Sequence, residues 1–146
     1  MNAPSPDAEP TPDPEHDKSL IRGVVQDLYA AYLDGDRGRL EAHIDASCTL
    51  WDSAVPELRT KSDLQAARRD VPPTGPQPID LVASGWQIRV WDDTACESHA
   101  LTAVFPDDTP PQYLRCTSVM RRIEGIWKFV HHHEEVLGGT AVPPTA

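Results

Sequence analysis

The chain has 146 residues, of which 39% are hydrophobic and 25% are charged, and this length and composition fit one globular domain. Its 23 acidic and 13 basic residues give a net charge of −10, which repels phosphate backbones and anionic membrane surfaces. We therefore expect neither nucleic acid nor a membrane as a partner. The first residues have neither the basic nor the apolar region of a secretory signal, and we expect the protein in the cytoplasm.

Both ends of the chain differ in composition from the middle. Residues 1–17 carry five prolines among acidic and small residues, and such a segment cannot bury enough surface to offset the entropy lost on ordering. We expect a disordered tail over residues 1–17, a folded domain over residues 18–137 and a flexible tail over residues 138–146.

The first predicted helix has the clearest pattern in the chain. Asp17 or Ser19 can cap its start, and Gly35 can end it. Its tyrosines are either core residues or present their hydroxyls to a cavity, because a buried phenol needs a partner. The apolar face that predicts the helix consists of Ile21, Val24, Val25, Leu28, Tyr29 and Tyr32.

Two shorter helices and a strand follow. Asp36 caps the second helix, and the β-branched and aromatic content of residues 47–52 predicts a short strand. Thr60 and Asp63 resemble a capping box at the start of a third helix. The Val-Pro-Pro sequence at residues 71–73 would stop that helix.

From Ile79 onward the hydrophobic period changes to two, which indicates strands. Helices followed by hairpin-connected strands predict an α+β domain in which a twisted, curved sheet wraps a helix. The predicted strands cover residues 79–84, 86–91, 95–105, 112–122 and the segment after a turn at Glu124-Gly125.

The element order and two motifs resemble the nuclear transport factor 2-like superfamily, in particular its SnoaL-like members and the association domain of calcium/calmodulin-dependent kinase. The motifs are Thr-Leu-Trp-Asp at residues 49–52 and Arg-Arg-Ile-Glu-Gly-Ile-Trp-Lys-Phe-Val-His-His-His at residues 121–133. The resemblance implies a cone: three N-terminal helices packed in a curved, mostly antiparallel meander sheet around a pocket open at one end. It also implies a homodimer formed through the outer face of the sheet.

The last strand holds the densest group of titratable side chains. Because side chains alternate along a strand, Trp127, Phe129, His131 and His133 should share one face, and Lys128, Val130, His132 and Glu134 the other. The aromatic pair favours the first face as the one inside the cone. His131 and His133 are therefore the histidines that we expect in the pocket.

A pocket histidine is suited to acid–base chemistry at neutral pH, and a nearby carboxylate would hold its tautomer. We expect His131 and His133 to be catalytic together with Asp52, which ends the first strand. The alternative is that these histidines lie at the mouth of the cone or in a subunit interface and are inert.

A second group of residues is expected to bind the substrate. Arg115 can bind a carboxylate or enolate oxygen with its planar fork, or it can be a surface ion-pair residue. The tryptophans can form walls for a flat apolar ligand or simply pack in the core. The expected substrate-binding residues are Tyr29, Tyr32, Trp51, Trp86, Trp91, Arg115, Trp127 and Glu134.

We expect neither a metal nor another cofactor. His131-x-His133 could share a metal with Glu134, His99 or Asp52, but two ligands do not make a site. The cysteines have no metal or redox spacing, and we expect buried free thiols at Cys48, Cys96 and Cys116.

Two functions are compatible with these residues. The first is a cofactor-independent isomerase, cyclase or dehydratase, in which histidine and aspartate move protons on a small apolar or carbonyl-containing molecule. Arg115 or a tyrosine hydroxyl would stabilise the oxyanion that develops. The alternative is a non-catalytic ligand-binding or dimeric assembly module with the same pocket.

Overall fold

The computed structural model describes residues 13–70 and 73–138. Most of both predicted tails, residues 1–12 and 139–146, lies outside the described residues, as does the predicted helix stop at residues 71–72. In chain order the elements are α1 (Pro14–Asp34), α2 (Arg37–Ala42), β1 (Ile44–Asp52), β2 (Val55–Thr60), α3 (Lys61–Asp70), β3 (Asp80–Trp91), β4 (Thr94–Val104), β5 (Gln112–Ile123) and β6 (Ile126–Val136).

Helix α1 begins one turn earlier than the sequence suggested. Asp13 is its N-cap and accepts two backbone N–H groups of the first turn, while Pro14 occupies the first helical position, where no N–H is needed. The predicted cap at Asp17 or Ser19 is therefore wrong. Asp17 is instead a buried helical residue that forms an ion pair with Arg122 at 2.9 Å.

Three other helix signals are confirmed. Gly35 ends α1 in the left-handed conformation with φ 70°, and Asp36 caps α2. Thr60 and Asp63 form a reciprocal capping box at the start of α3: the Thr60 N–H donates to the Asp63 carboxylate at 2.8 Å, and the Asp63 N–H donates to the Thr60 hydroxyl at 3.2 Å.

The six strands form one mixed sheet in the order β2-β1-β6-β5-β4-β3. Strand β1 runs parallel to β6, and the other neighbours are antiparallel. The sequence did not predict β2, which is a short strand at the edge of the sheet. Its Pro56 is tolerated there because an edge strand need not donate every N–H group.

Two-residue turns join β3 to β4 and β5 to β6. Glu124 and Gly125 have φ of 52° and 81°, and Ile123 pairs with Ile126 across the turn. Both central residues thus have the positive φ that a tight hairpin of this kind requires. The hairpin predicted at Glu124-Gly125 is confirmed, and it sets the register between β5 and β6.

Two β-bulges change which residues face the core. In β3 the register shifts between Ser84 and Gln87, around Gly85 with φ 65°. In β6, Val119 pairs with His131 and the next residue of β5, Met120, pairs with Phe129. Val130 is therefore an extra residue without a partner in β5, which is a β-bulge. After each bulge the alternation of side chains is reversed relative to the uninterrupted strand.

The core lies between α1 and one face of the sheet, which we call the interior face. Helix α1 contributes Ile21, Val25 and Tyr29, and strands β4 to β6 contribute the other large members. The interior residues of the strands include Ala95, Leu101, Ala103, Leu114, Cys116, Met120, Trp127 and Phe129.

Candidate active site

A cavity of about 290 Å³ lies between the helices and the interior face of the sheet. Its walls are mostly aliphatic and aromatic side chains, among them Leu28, Leu101 and Phe129. Polar side chains also reach it from both layers. They include Tyr29, Tyr32, Asp52, Lys61, Arg68, Gln112, His132 and Glu134.

Two rows of polar side chains cross the interior face. In the first row His99 of β4 pairs with Cys116 of β5, and Cys116 pairs with Glu134 of β6. In the second row Glu97 pairs with Ser118, and Ser118 pairs with His132. Directly opposed residues on one face of a sheet are close neighbours. The sheet thus places six polar side chains side by side among apolar ones, with one end of each row, Glu134 and His132, at the cavity.

Tyr29, His99 and Glu97 form a hydrogen-bonded chain at the buried side of this group. The Tyr29 hydroxyl lies 2.6 Å from His99 Nε2, and His99 Nδ1 lies 2.8 Å from Glu97 Oε2. The side chains of His99 and Glu97 are fully buried. The indole of Trp86 stacks on the imidazole with 4.8 Å between ring centroids, which fixes the plane of the ring.

The protonation state of His99 decides what Tyr29 can do. An ionised Glu97 can only accept a hydrogen bond, and in that case His99 Nδ1–H is the donor. When His99 is neutral, its Nε2 accepts the Tyr29 proton. When His99 is an imidazolium countered by Glu97, Nε2 donates to Tyr29, and the hydroxyl is free to donate elsewhere. Cys116 Sγ is within its reach at 3.8 Å.

His132 and Glu134 form the cavity end of the rows. The Ser118 hydroxyl lies 2.7 Å from His132 Nδ1, and His132 Nε2 lies 3.4 Å from Glu134 Oε2. His132 has two neutral tautomers here. In one, Nε2–H donates to Glu134 while Nδ1 accepts the Ser118 hydroxyl proton. In the other, Nδ1–H donates to Ser118 and Nε2 has a free lone pair beside Glu134 and the cavity. This tautomer makes His132 a proton acceptor beside a carboxylate.

The surroundings shift the pKa of three of these groups. Burial raises the pKa of Tyr29 well above its ordinary value of 10.0, so the phenol stays protonated. Burial also raises the pKa of the Cys116 thiol to about 12. Burial alone would raise the pKa of Glu134, but the His132 hydrogen bond and nearby positive charges outweigh it, and the net shift is downward. Glu134 is therefore a carboxylate.

The structure contradicts the expectation that His131 and His133 face the cavity. Trp127 and Phe129 do lie on the interior face, but the bulge at Val130 reverses the alternation immediately after Phe129. The residues that line the cavity beyond the bulge are His132 and Glu134, which the uninterrupted pattern had assigned to the opposite face.

His131 and His133 lie on the outer face of the sheet beside Trp51. The Trp51 ring meets both imidazoles edge-on, with centroid distances of 6.4 and 6.0 Å. His131 Nδ1 lies 2.8 Å from the Thr49 hydroxyl. Partial burial, together with the neighbouring histidine charges, lowers the pKa of His131. The predicted residue Trp51 is thus 45% exposed and outside the cavity.

Asp52 does line the cavity, but its carboxylate is already engaged. Oδ1 accepts the Ala54 N–H at 2.8 Å, and Oδ2 forms an ion pair with Arg59. Tyr32 also reaches the cavity and donates to Gln77 at 3.4 Å. Of the three expected catalytic residues, only Asp52 has a side chain in the cavity wall, as a partner of Arg59.

The remaining predicted binding residues are divided between core and surface. Arg115 is exposed and forms an ion pair with Glu135 at 2.7 Å, and Trp91 is 56% exposed. Trp127 is buried in the core, and Trp86 stacks on His99 without lining the cavity. These four residues do not contact the cavity, so a substrate there would not meet them.

Sequence reasoning missed three polar residues of the interior face, Glu97, Cys116 and Ser118, as a group. A usable signal was present in β4, where Glu97 and His99 alternate in step with the apolar residues Leu101 and Ala103, which lie in the core. A glutamate and a histidine at buried positions of a strand indicate a paired polar group rather than a solvated face.

A family model described as the SnoaL-like domain matches residues 21–136. The chain belongs to this family. No curated protein was found to match the chain.

Solved structures share the fold at low identity. An NTF2-like protein of unknown function from Pseudomonas putida is 18% identical with a TM-score of 0.73, covering 90% of this chain and 94% of its own. A ketosteroid isomerase-like protein from Erwinia carotovora atroseptica is 14% identical with a TM-score of 0.66, covering 83% and 96%. The CamKII hub homology domain of Chlamydomonas reinhardtii is 21% identical with a TM-score of 0.69, covering 84% and 99%.

At these identities the similarity shows the fold alone. The chain therefore has the NTF2-like α+β fold that the sequence motifs suggested, and its sheet is mixed and six-stranded. None of the three helices in the described part of the chain combines the length and the hydropathy that a membrane span requires.

Proposed function

We propose that the protein is a cofactor-independent enzyme that moves a proton on a small carbonyl compound, as an isomerase, cyclase or dehydratase does. One observation supports the proposal: His132, Glu134 and Tyr29 all line the same mostly apolar cavity. A base and a protonated phenol beside one mostly apolar cavity are the two groups that enolisation needs.

The cavity favours a small ligand with an apolar body. Its volume of about 290 Å³ is at the lower end of the range for small-molecule sites. Leu28, Leu101 and Phe129 supply apolar contact. Lys61 also lines the cavity, but its ammonium group already donates to the carbonyl oxygens of Glu41 and Ile44, at 3.1 and 2.8 Å. An uncharged carbonyl compound therefore suits the site better than an anion.

His132 would act as the base. Its Nε2 takes the proton from the carbon next to the carbonyl, and the Glu134 carboxylate stabilises the imidazolium that forms. Ser118 holds the ring through Nδ1. Returning the proton to a different carbon completes an isomerisation. Donating it to a β-hydroxyl group, which leaves as water as the double bond forms, completes a dehydration.

Tyr29 would stabilise the enolate oxygen. Its raised pKa keeps the phenol protonated, and an imidazolium at His99 leaves that proton available for the substrate. The buried Glu97 carboxylate supports the charge on His99. Tyr32 and Asp52 would contact the substrate from the cavity wall, and His131 and His133 would take no part.

The test is deuterium incorporation next to the carbonyl, followed by NMR in D2O over a panel of small cyclic and aromatic ketones. We expect the wild type to exchange at least one of them. Tyr29→Phe should slow the exchange about 10²- to 10³-fold, the cost of losing one oxyanion donor. Saturable binding without exchange across the panel would refute catalysis and support a non-catalytic binding module.

A homodimer and a cytoplasmic location stay predictions. The fold is shared with a protein described as a CamKII hub homology domain. This similarity supports the proposal that copies of the chain associate with one another. The outer-face group of Trp51, His131 and His133 is a candidate for the contact, because Trp51 is a large exposed apolar residue. Analytical ultracentrifugation of the wild type and of Trp51→Glu would test this contact. We expect the wild type to sediment as a dimer and Trp51→Glu as a monomer.

A further inference from the structure

Three side chains of different metal-ligand types converge at the cavity end of the polar rows. Cys116 Sγ, a ring nitrogen of His132 and a carboxylate oxygen of Glu134 all lie within 4.8 Å of one another. We propose that Cys116, His132 and Glu134 form a binding site for Zn²⁺, and that a bound ion blocks the acid–base pair. The second half of this statement rests on the proposed function.

The backbone register explains why the three side chains meet. Cys116 and Glu134 are directly opposed on β5 and β6, and His132 precedes Glu134 by two residues on the same face. The bulge at Val130 is required for this arrangement, because it turns His132 and Glu134 toward the interior. Three ligands on two hydrogen-bonded strands are held by rigid backbone, which favours a defined site over a mobile one.

Neighbouring groups orient two of the three ligands. Ser118 Oγ at 2.7 Å engages His132 Nδ1, so Nε2 is the nitrogen that remains for a metal. When His99 Nε2 donates to Tyr29, the Tyr29 hydroxyl can donate to Cys116 Sγ at 3.8 Å, a contact that would stabilise a thiolate. Such outer hydrogen bonds fix the tautomer and direction of a ligand.

The ligand types select the metal. One sulfur, one nitrogen and one oxygen suit Zn²⁺, whereas Mg²⁺ and Ca²⁺ require several oxygens. Tetrahedral Zn²⁺ places such ligands about 3.5 Å apart, so the longest edge of the group has to shorten by at most about 1.3 Å. A thiolate and a carboxylate also neutralise the charge of the ion.

The position of the group gives the ion one open side. His132 and Glu134 line the cavity, while Cys116 lies behind them in the core. Three protein ligands with a fourth position toward a cavity are the arrangement of an accessible zinc site. A bound ion takes the lone pair of His132 Nε2 and an oxygen of Glu134. Zn²⁺ and the substrate proton therefore compete for the same atoms.

The binding test uses the metal alone. The full chain is treated with a chelator, dialysed and titrated with Zn²⁺ by calorimetry, and with Co²⁺ by absorption, where a thiolate ligand adds a charge-transfer band. We expect one ion per chain and a thiolate band. Cys116→Ser should abolish the band and weaken Zn²⁺ binding more than about 100-fold, since even outer-shell changes cost about 10- to 100-fold. Ser118→Ala should weaken it about tenfold.

Cys48→Ser is the matched control. Cys48 is buried and lines the same cavity, but it is not one of the three grouped ligands. Circular dichroism confirms that each variant is folded. Unchanged binding in Cys116→Ser, equal losses in Cys48→Ser and Cys116→Ser, or no binding by the wild type would each overturn the site.

A third arm separates the site from the proposed function. Stoichiometric Zn²⁺ should suppress the deuterium exchange of the wild type, and a chelator should restore it. Exchange that continues in the zinc-loaded protein would overturn the competition between metal and proton. If the wild type shows no exchange with any ketone, the proposed function fails, and the calorimetric titration alone supports or overturns the zinc site.

Discussion

Replacing His99 by phenylalanine keeps the ring that stacks on Trp86 but removes both hydrogen bonds of the imidazole. Glu97 then loses its 2.8 Å partner, and its other oxygen, Oε1, already has no hydrogen-bond partner in the described part of the chain. A buried carboxylate without a partner costs about 3–5 kcal/mol of stability. We expect the free energy of unfolding of His99→Phe to fall by about that amount.

Removing the carboxylate as well should recover most of this loss. In the double variant Glu97→Leu with His99→Phe, an apolar pair of similar volume replaces the ion pair, and such replacements are often neutral or stabilising. In the double variant the Tyr29 hydroxyl loses its hydrogen bond to His99 but keeps its contact with Cys116. The double variant should therefore lose about 1 kcal/mol, clearly less than His99→Phe alone.

Urea unfolding followed by tryptophan fluorescence measures both values. The single variant should be less stable than the double variant by about 2 kcal/mol or more. Equal stabilities of the two variants would refute the reasoning, because they would show that Glu97 does not depend on His99. A loss below about 1 kcal/mol in His99→Phe would also refute it, since an ordinary neutral hydrogen bond would then account for the pair.

Three further predictions concern stability. Phe129→Ala should cost about 3–5 kcal/mol in urea unfolding, because Phe129 is buried between the core and the cavity. Gly125→Ala should cost about 1 kcal/mol, seen as a lower Tm, because its φ of 81° is unfavourable with a side chain, and an unchanged Tm would contradict this. Arg39 and His43 lower the pKa of Asp27 from 3.8 to about 2, so the stability that ionised Asp27 contributes is present above pH 3.8 and is lost as the pH falls toward 2. Asp27→Asn should remove this part of the loss of stability at low pH, measured as the free energy of unfolding between about pH 5 and pH 2. The same loss in Asp27→Asn and in the wild type would contradict this role of Asp27.

Local signals predicted most of the fold. The capping box of α3, the glycine end of α1 and the turn at Glu124-Gly125 each depend on residues close together in sequence, and each is present in the structure. The first turn of α1 was missed because Pro14 was read as part of a proline-rich tail, although proline is favourable at the first helical position.

The orientation of the last strand could not be predicted from its pattern. Strand β3 has a bulge at Gly85, where glycine marks a break, and the sequence had already been divided there into two strands. The bulge in β6 falls at Val130, a β-branched residue that is typical of an uninterrupted strand. No residue type marks this bulge, so alternation assigned His131 and His133 to the wrong face.

The buried chain of Tyr29, His99 and Glu97 joins an N-terminal helix to the sheet. Tyr29 and His99 are 70 residues apart in sequence, and only the packing of α1 against the sheet brings Tyr29 Oη to 2.6 Å from His99 Nε2. Spacing along the chain cannot reveal such a contact. The alternation in β4 could have placed Glu97 and His99 inside, but it could not have named their partner.

The comparison of His132→Gln with His133→Gln tests the proposed site most directly. The measurement is the rate of deuterium exchange in a ketone that the wild type enolises. We predict that His132→Gln slows exchange about 10²- to 10⁴-fold, the contribution of a positioned base, and that His133→Gln leaves it within about twofold of the wild type. A loss in His133→Gln as large as that in His132→Gln, or an unaffected rate in His132→Gln, would contradict the assignment of His132 as the base.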